Sequence, residues 1–186
     1  ALLLVSALRV GANDKQGNDE RCVKFARMMD KAGIKYIWLY FGDRSMKNAP
    51  LGNYNTNVGI IGAGMIGKLV IKMLAPYKLN VFVFDPFLPQ AVADELGVTM
   101  VDDLPTLFEK CHVISNHLAN NAQTQGMLQY RHFAAMMHNG VFLNTGRGAQ
   151  VVEDDMIAAL KECPERVALL DVTMPEPPVE GSEMYK

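Results

Sequence analysis

The stretch Val58 to Val70, VGIIGAGMIGKLV, restricts the fold more than any other part of this sequence. A short apolar run leads into Gly62, Gly64 and Gly67, spaced G-x-G-x-x-G, and apolar residues at helical spacing follow at once. Glycines set between an apolar run and a helical pattern mark a strand-to-helix turn. The alternation continues downstream. Apolar runs predict strands at Val58–Ile61, Val81–Phe84, Val98–Val101, His112–Ser115, Val141–Asn144 and Val167–Asp171. Between them, periodicity predicts helices at Met65–Tyr77, Pro89–Leu96, Asp103–Lys110, Arg131–Met137 and Glu153–Glu162. The runs VGII, VFVF and VALL lack polar alternation, as strands covered on both faces do. Strand and helix in regular alternation specify an α/β fold with a doubly wound parallel sheet.

Upstream the character differs. NAPLGNYNTN (Asn48 to Asn57) is full of turn formers and reads as a boundary, giving an N-terminal segment of residues 1–50 and a sheet domain of residues 51–186. Gly11 to Glu20 reads as a loop. Cys22, Phe25, Ala26 and Met29 recur at helical spacing, with Asp19 as N-cap and Gly33 as the stop. Trp38, Tyr40 and Phe41 cluster in an extended stretch that could form an arm or cover the domain's own core. The uncharged run Ala1 to Leu8 has no basic residue before it and falls short of the roughly 18 apolar residues of a membrane span. The first residue is Ala, so the sequence is expected to begin inside a larger protein.

Composition removes some functions. With 18 basic and 20 acidic residues the 186-residue chain carries a net charge of −2, so neither nucleic acid nor an anionic membrane would be gripped by bulk electrostatics. Cys22, Cys111 and Cys163 lie far apart, without the close pair of metal or redox motifs. No metal site is expected, and a reducing, cytoplasmic compartment fits. The twelve methionines read as core filler.

The glycine turn sits where chemistry is possible. Gly62 permits the tight turn, Gly64 lets backbone approach a pyrophosphate, and Gly67 lets helix and strand pack closely. The amides of Met65 and Ile66 then face outward at a helix N-terminus, where donors and dipole favour phosphate. Asp85 ends the next strand, eighteen residues past Gly67. A carboxylate there accepts hydrogen bonds from both ribose hydroxyls of an adenosine, and would repel a 2′-phosphate. No Arg or Lys follows in PFLPQ to receive one, which favours NAD over NADP. Taken singly, the same residues are also a plain glycine turn and a helix-capping Asp.

Two further strand ends carry candidates. In GVFLNTGRGAQ, Asn144-Thr145 leads to Gly146-Arg147-Gly148. An arginine between glycines can grip a carboxylate bidentately, or be an ordinary loop arginine. In VALLDVTMPEPP, Asp171 ends a strand, and Glu176 is fixed in a narrow backbone range between prolines. Glu176 fits an aimed side chain and a solvated turn alike.

Together GAGMIG, FDP, NTGRGAQVVEDDMIAAL and LDVTMPEPP resemble the D-isomer-specific 2-hydroxyacid dehydrogenase family, from Val58 to Pro178. The resemblance implies a Rossmann-type NAD-binding domain, with Ala1 to Val10 as the helix linking it to a substrate domain that is missing. It implies NAD held by Gly62, Gly64, Met65, Ile66, Gly67 and Asp85, with His117, Thr145, Gly146 and Asp171 on the cofactor side. It assigns Arg147 to the substrate carboxylate and keto oxygen, and Glu176 to pairing with a catalytic histidine. The expected reaction moves hydride between NAD(H) and a small 2-hydroxy or 2-keto acid, in a homodimer. The sequence also departs from the family. The T-P-H histidine is absent, and His112, His117, His132 and His138 all precede Arg147. Leu118-Ala119-Asn120-Asn121 stands where the family has Pro-Leu-Thr-Pro, and Gly146 replaces Ala. The chain is therefore expected to be incomplete for catalysis. Its alternative reading is an NAD-sensing module like the corepressors that resemble this family. A methyltransferase-type α/β domain fits less well, having no role for Gly67, Arg147 or Glu176.

Overall fold

The computed structural model describes residues 55–185, so the expectations for the N-terminal segment, the linking helix and the aromatic arm lie outside the described residues. Six parallel strands form one sheet: β1 (Asn57–Ile61), β2 (Asn80–Phe84), β3 (Thr99–Met100), β4 (Val113–Asn116), β5 (Val141–Asn144) and β6 (Val167–Leu170). Their spatial order is β3-β2-β1-β4-β5-β6. The chain thus winds outward from β1 in one direction and then from β4 in the other. This is the doubly wound order, whose reversal between β1 and β4 opens a crevice at the carboxyl ends of the strands.

Helices α1 (Met65–Leu74), α2 (Gln90–Leu96), α3 (Leu104–Lys110), α4 (Tyr130–Ala134) and α5 (Glu153–Glu162) cover the sheet. Side chains alternate across each strand, so Val58 and Ile60 pack with Val70, Ile71 and Leu74 of α1. Ile61 and Ile114 join the opposite layer, under Leu107, Phe108 and Phe133. There Phe108, Phe133 and Phe142 form a ring cluster with centroids 5.1–6.0 Å apart. Burial of each such side chain stabilises the fold by about 1.5–3 kcal/mol. Helix ends follow local chemistry. The Asp103 carboxylate accepts from the Thr106 amide at 2.7 Å, which also lowers its pKa. Gly97 closes α2 in the left-handed region at φ 67°.

Some expectations are corrected. β3 is two residues long and α4 ends at Ala134, where the Arg166 guanidinium donates to Ala134 O and, just past the helix, to Met136 O, each at 2.8 Å. α1 stops at Leu74, three residues early. Covering on both faces holds for β4 and for most of β1, but β6 is half-buried throughout because it is the sheet edge, and β2 has only the short β3 outside it. The methionines divide. Met136 and Met156 are core, whereas Met65, Met73 and Met174 are exposed. In α1 the buried set Gly67, Val70, Ile71 and Leu74 leaves a second apolar stripe, Ile66, Leu69 and Met73, facing outward. Among the described residues no helix is long and apolar enough to cross a membrane.

Candidate functional site

The candidate residues from Gly62 to Asp171 that were read as facing cofactor or substrate follow the carboxyl ends of β1, β2, β4, β5 and β6. The glycine turn follows β1. Gly62 has φ 85°, open chiefly to glycine, and a Cβ on it would stand 2.8 Å from the His117 carbonyl oxygen. A Cβ on Gly67 would meet the Gly62 carbonyl at 2.0 Å, so α1 can start this close to β1 only with glycine there. Gly64 differs: nothing lies within 4 Å of the Cβ it lacks. That space is open to an incoming group, beside the exposed first residues of α1, Met65 and Ile66.

Asp85 reaches back to this turn. Its Oδ2 accepts from the Ala63 amide at 2.8 Å and its Oδ1 from the Phe87 amide at 2.9 Å. Each carboxylate oxygen keeps a lone pair for a further donor, as a ribose would require. On the other flank, the His117 amide donates to Ile61 O at 2.8 Å and its ring contacts Ser115 Oγ at 2.9 Å. Burial pushes the His117 pKa down to about 4, so the ring is neutral near pH 7.

The β5 and β6 loops are fastened differently. Asn116 and Asn144 end β4 and β5 in the same register, and with Gln150 they form a buried amide network. Asn116 Nδ2 donates to Asn144 Oδ1 at 3.0 Å and to Gln150 Oε1 at 2.7 Å. Gln150 Nε2 donates to the carbonyls of Leu118 and Ala119, so the loop after His117 hangs from the loop that carries Arg147. The Gly146 amide donates to Asn144 Oδ1 at 3.1 Å. Gly148 then faces the β6 exit: a Cβ there would lie 2.2 Å from the Thr173 carbonyl carbon and oxygen. The Met174 amide donates to Glu153 Oε1 at 2.6 Å, holding that exit against the start of α5.

The structure thus joins Asp85, the glycine turn, His117, Gly146 to Gly148 and the Asp171 stretch into one continuous rim. Arg147, Thr145 and Asp171 are exposed on it, and Glu176 is exposed six residues beyond the end of β6. Arg147 Nη1 donates to the Gly146 carbonyl at 2.8 Å. Among the described residues no hydrogen bond or ion pair links Glu176 to a histidine: His112 lies at the opposite end of β4, His132 is buried in the α4 cap, and His138 precedes β5. A groove of about 480 Å³ lies beside this rim, between α5 and residues 174–182, and contains none of the glycine-turn residues. Sequence reasoning missed Asn116, Asn144 and Gln150. Their signal was a polar amide closing each of two otherwise apolar strands at matching register.

Residues 24–186 match the family described as D-isomer specific 2-hydroxyacid dehydrogenase, NAD binding domain. The chain belongs to this family. It is 34% identical over 125 residues to D-3-phosphoglycerate dehydrogenase of Methanocaldococcus jannaschii, covering 67% of this chain and 24% of that one. It is 38% identical over 108 residues to D-lactate dehydrogenase of Escherichia coli, covering 58% and 32%. In fold it is similar to D-lactate dehydrogenase with NAD+ from Lactobacillus jensenii, with a TM-score of 0.65, 22% identity, and coverage of 98% and 49%. The chain therefore spans a quarter to a third of those two curated relatives and about half of that solved chain. Within this NAD-binding domain family, the chain has an open position at Gly64, exposed Met65 and Ile66 at the start of α1, and an Asp85 with spare acceptor capacity.

Proposed function

We propose that this domain serves an enzyme that moves hydride between NAD(H) and a small 2-hydroxy or 2-keto acid. The supporting observation is the bond from the Ala63 amide to Asp85 Oδ2 beside the unfilled space at Gly64. It fixes the ribose acceptor and the phosphate donors relative to each other before ligand arrives, which lowers the ordering cost of binding. In this reading the Met65 and Ile66 amides hold the pyrophosphate and Asp85 the adenosine ribose, selecting NAD over NADP. His117, Thr145, Gly146 and Asp171 line the nicotinamide side. NAD, when bound, supplies or accepts the hydride.

Arg147 grips the substrate carboxylate and draws charge from the keto oxygen. Glu176 orients and charges a histidine that delivers the proton. None of the four histidines of this chain stands beside Glu176, so turnover by these 186 residues alone is expected to be about 10²–10⁴-fold below that of a complete site. The domain is further proposed to work in the cytoplasm as a homodimer. Residues 1–50 would form the linking segment and residues 51–186 the cofactor domain, and the outward stripe of Ile66, Leu69 and Met73 supplies an apolar face for a second copy.

Melting the chain with NADH and with NADPH tests the reading. A ligand at about 100 times its Kd adds roughly 2.7 kcal/mol. At this size that raises Tm by about 5–10 °C. The expected shift is large with NADH and small with NADPH, and Asp85→Asn removes most of it. Equal shifts with both, or none with either, would overturn the assignment of Asp85.

A further inference from the structure

At the amino edge of the sheet, opposite the glycine turn, the α4–β5 connection meets the α5–β6 connection. Three side chains converge there: His138, Cys163 and Glu165, whose donor atoms all lie within 4.8 Å of one another. Glu165 Oε2 is 3.6 Å from His138 Nε2 and 3.6 Å from Cys163 Sγ. Cys163 Sγ also rests 3.4 Å from the His138 carbonyl oxygen, which sets the thiol against the histidine's own turn.

A separation of 3.6 Å is long for a hydrogen bond from an imidazole to a carboxylate. It suits two ligands of one metal ion. Zinc bonds of about 2.3 Å to sulfur and about 2.0–2.2 Å to nitrogen and oxygen, at tetrahedral angles, place neighbouring donor atoms roughly 3.3–3.6 Å apart. The donor set points the same way. Nitrogen, sulfur and oxygen together suit a borderline ion such as Zn²⁺ or Co²⁺, whereas Mg²⁺ and Ca²⁺ take oxygen shells. The side chains of His138 and Glu165 are 75% and 44% exposed, so an ion can reach them. The nearest cation in sequence, Arg166, is turned inward onto the carbonyls of Ala134, Met136 and Ala159.

We propose that His138, Cys163 and Glu165 form a binding site for a zinc-class divalent cation, with water in the fourth position. On binding, the thiol proton passes to solvent, sulfur takes the metal as thiolate, and the neutral imidazole and the carboxylate complete the set. The ion ties the entry of β5 to the entry of β6, the edge strand. Close-spaced ligand motifs gave no sign of this site, because the fold and not the sequence brings His138 to Cys163.

Titrating Co²⁺ into the full chain tests the site. One equivalent is expected to produce a thiolate-to-cobalt charge-transfer band in the near ultraviolet, which Zn²⁺ bleaches by displacement while raising Tm. Cys163→Ser is expected to abolish the band. His138→Ala and Glu165→Gln should each weaken binding by at least the roughly 10–100-fold seen when a mere supporting residue is lost. Cys22→Ser should leave it unchanged. All three ligands lie at or near the surface, so the metal-free melts of the variants should match the parent. If Cys163→Ser fails to fold, His138→Ala carries the test. Absence of a band, a band that survives Cys163→Ser, or full affinity in His138→Ala overturns the proposal.

Discussion

At the β1–α1 end of the rim the decisive contacts are backbone on backbone. The Gly62 carbonyl abuts Gly67, and the His117 carbonyl abuts Gly62. Between β4 and β5 the loops hang instead from three buried amide side chains, Asn116, Asn144 and Gln150, while the β6 exit packs its backbone on Gly148. The first arrangement tolerates no added atom, and the second tolerates no missing partner. A cofactor that recurs in one geometry suits the rigid end. In the proposed function the exposed Arg147 faces substrate, and a side chain that must stay reachable suits the suspended one.

The sharpest way to break the rigid end is Gly67→Ala. Its methyl would lie 2.0 Å from the Gly62 carbonyl oxygen. Overpacking of this kind costs typically 1–3 kcal/mol, and the top of that range applies where backbone is the obstacle. Tm should fall by about 6–12 °C, and the NADH-dependent shift should vanish. If Gly67→Ala keeps both, the backbone argument is wrong.

The suspended end should break by subtraction. Gln150→Leu leaves the Asn116 amide and the Leu118 and Ala119 carbonyls short of partners, and each buried group left unpaired costs about 1–3 kcal/mol. A urea midpoint lowered by about 2 kcal/mol in stability is expected, with NADH binding reduced less than in Gly67→Ala. Equal damage to binding would mean that the two ends are one unit.

These two ends were unequally legible in the sequence. The glycine turn and Asp85 are fixed by short-range spacing, strand then turn then helix, and the structure has them directly after β1 and β2. The amide network was not foreseen because Asn116 is 28 and 34 residues from its partners Asn144 and Gln150 and meets them only through strand pairing. β6 read as a covered strand because VALL is apolar; that run records composition, and position at the sheet edge depends on the order of the other five. Exposed Met73 escaped for the same reason, since a helix with two apolar stripes looks buried until its neighbours are known.

Acid should loosen the flank between the two ends. Burial lowers the His117 pKa to about 4 from 6.5, and burial also lowers those of His112 and His132. The folded state thus holds protons less well than the unfolded one. Stability is full above about pH 6.5 and falls as pH drops toward the folded values. At pH 5 the loss from His117 is about 1–2 kcal/mol, and His117→Gln should flatten the urea midpoint between pH 6.5 and 5. An unchanged slope in that variant would remove His117 from the account.

The smallest effect belongs to Arg147→Gln. An exposed loop side chain contributes within about 0.5 kcal/mol to stability, so Tm and the NADH shift should both stay put. A clear loss of either would place Arg147 in the framework and not in the substrate's path.

β4 and β5 read VISN and VFLN, nearly all covered on both faces. A sheet of such strands faces an ambiguity while it assembles. With apolar residues on either side, sliding one strand by a residue would still bury oily surface, so hydrophobicity says little about correct alignment. The paired amides say much more. A slip would turn Asn116 and Asn144 to opposite faces and leave each stranded in hydrocarbon. The amide pair therefore favours the one register in which both side chains are satisfied.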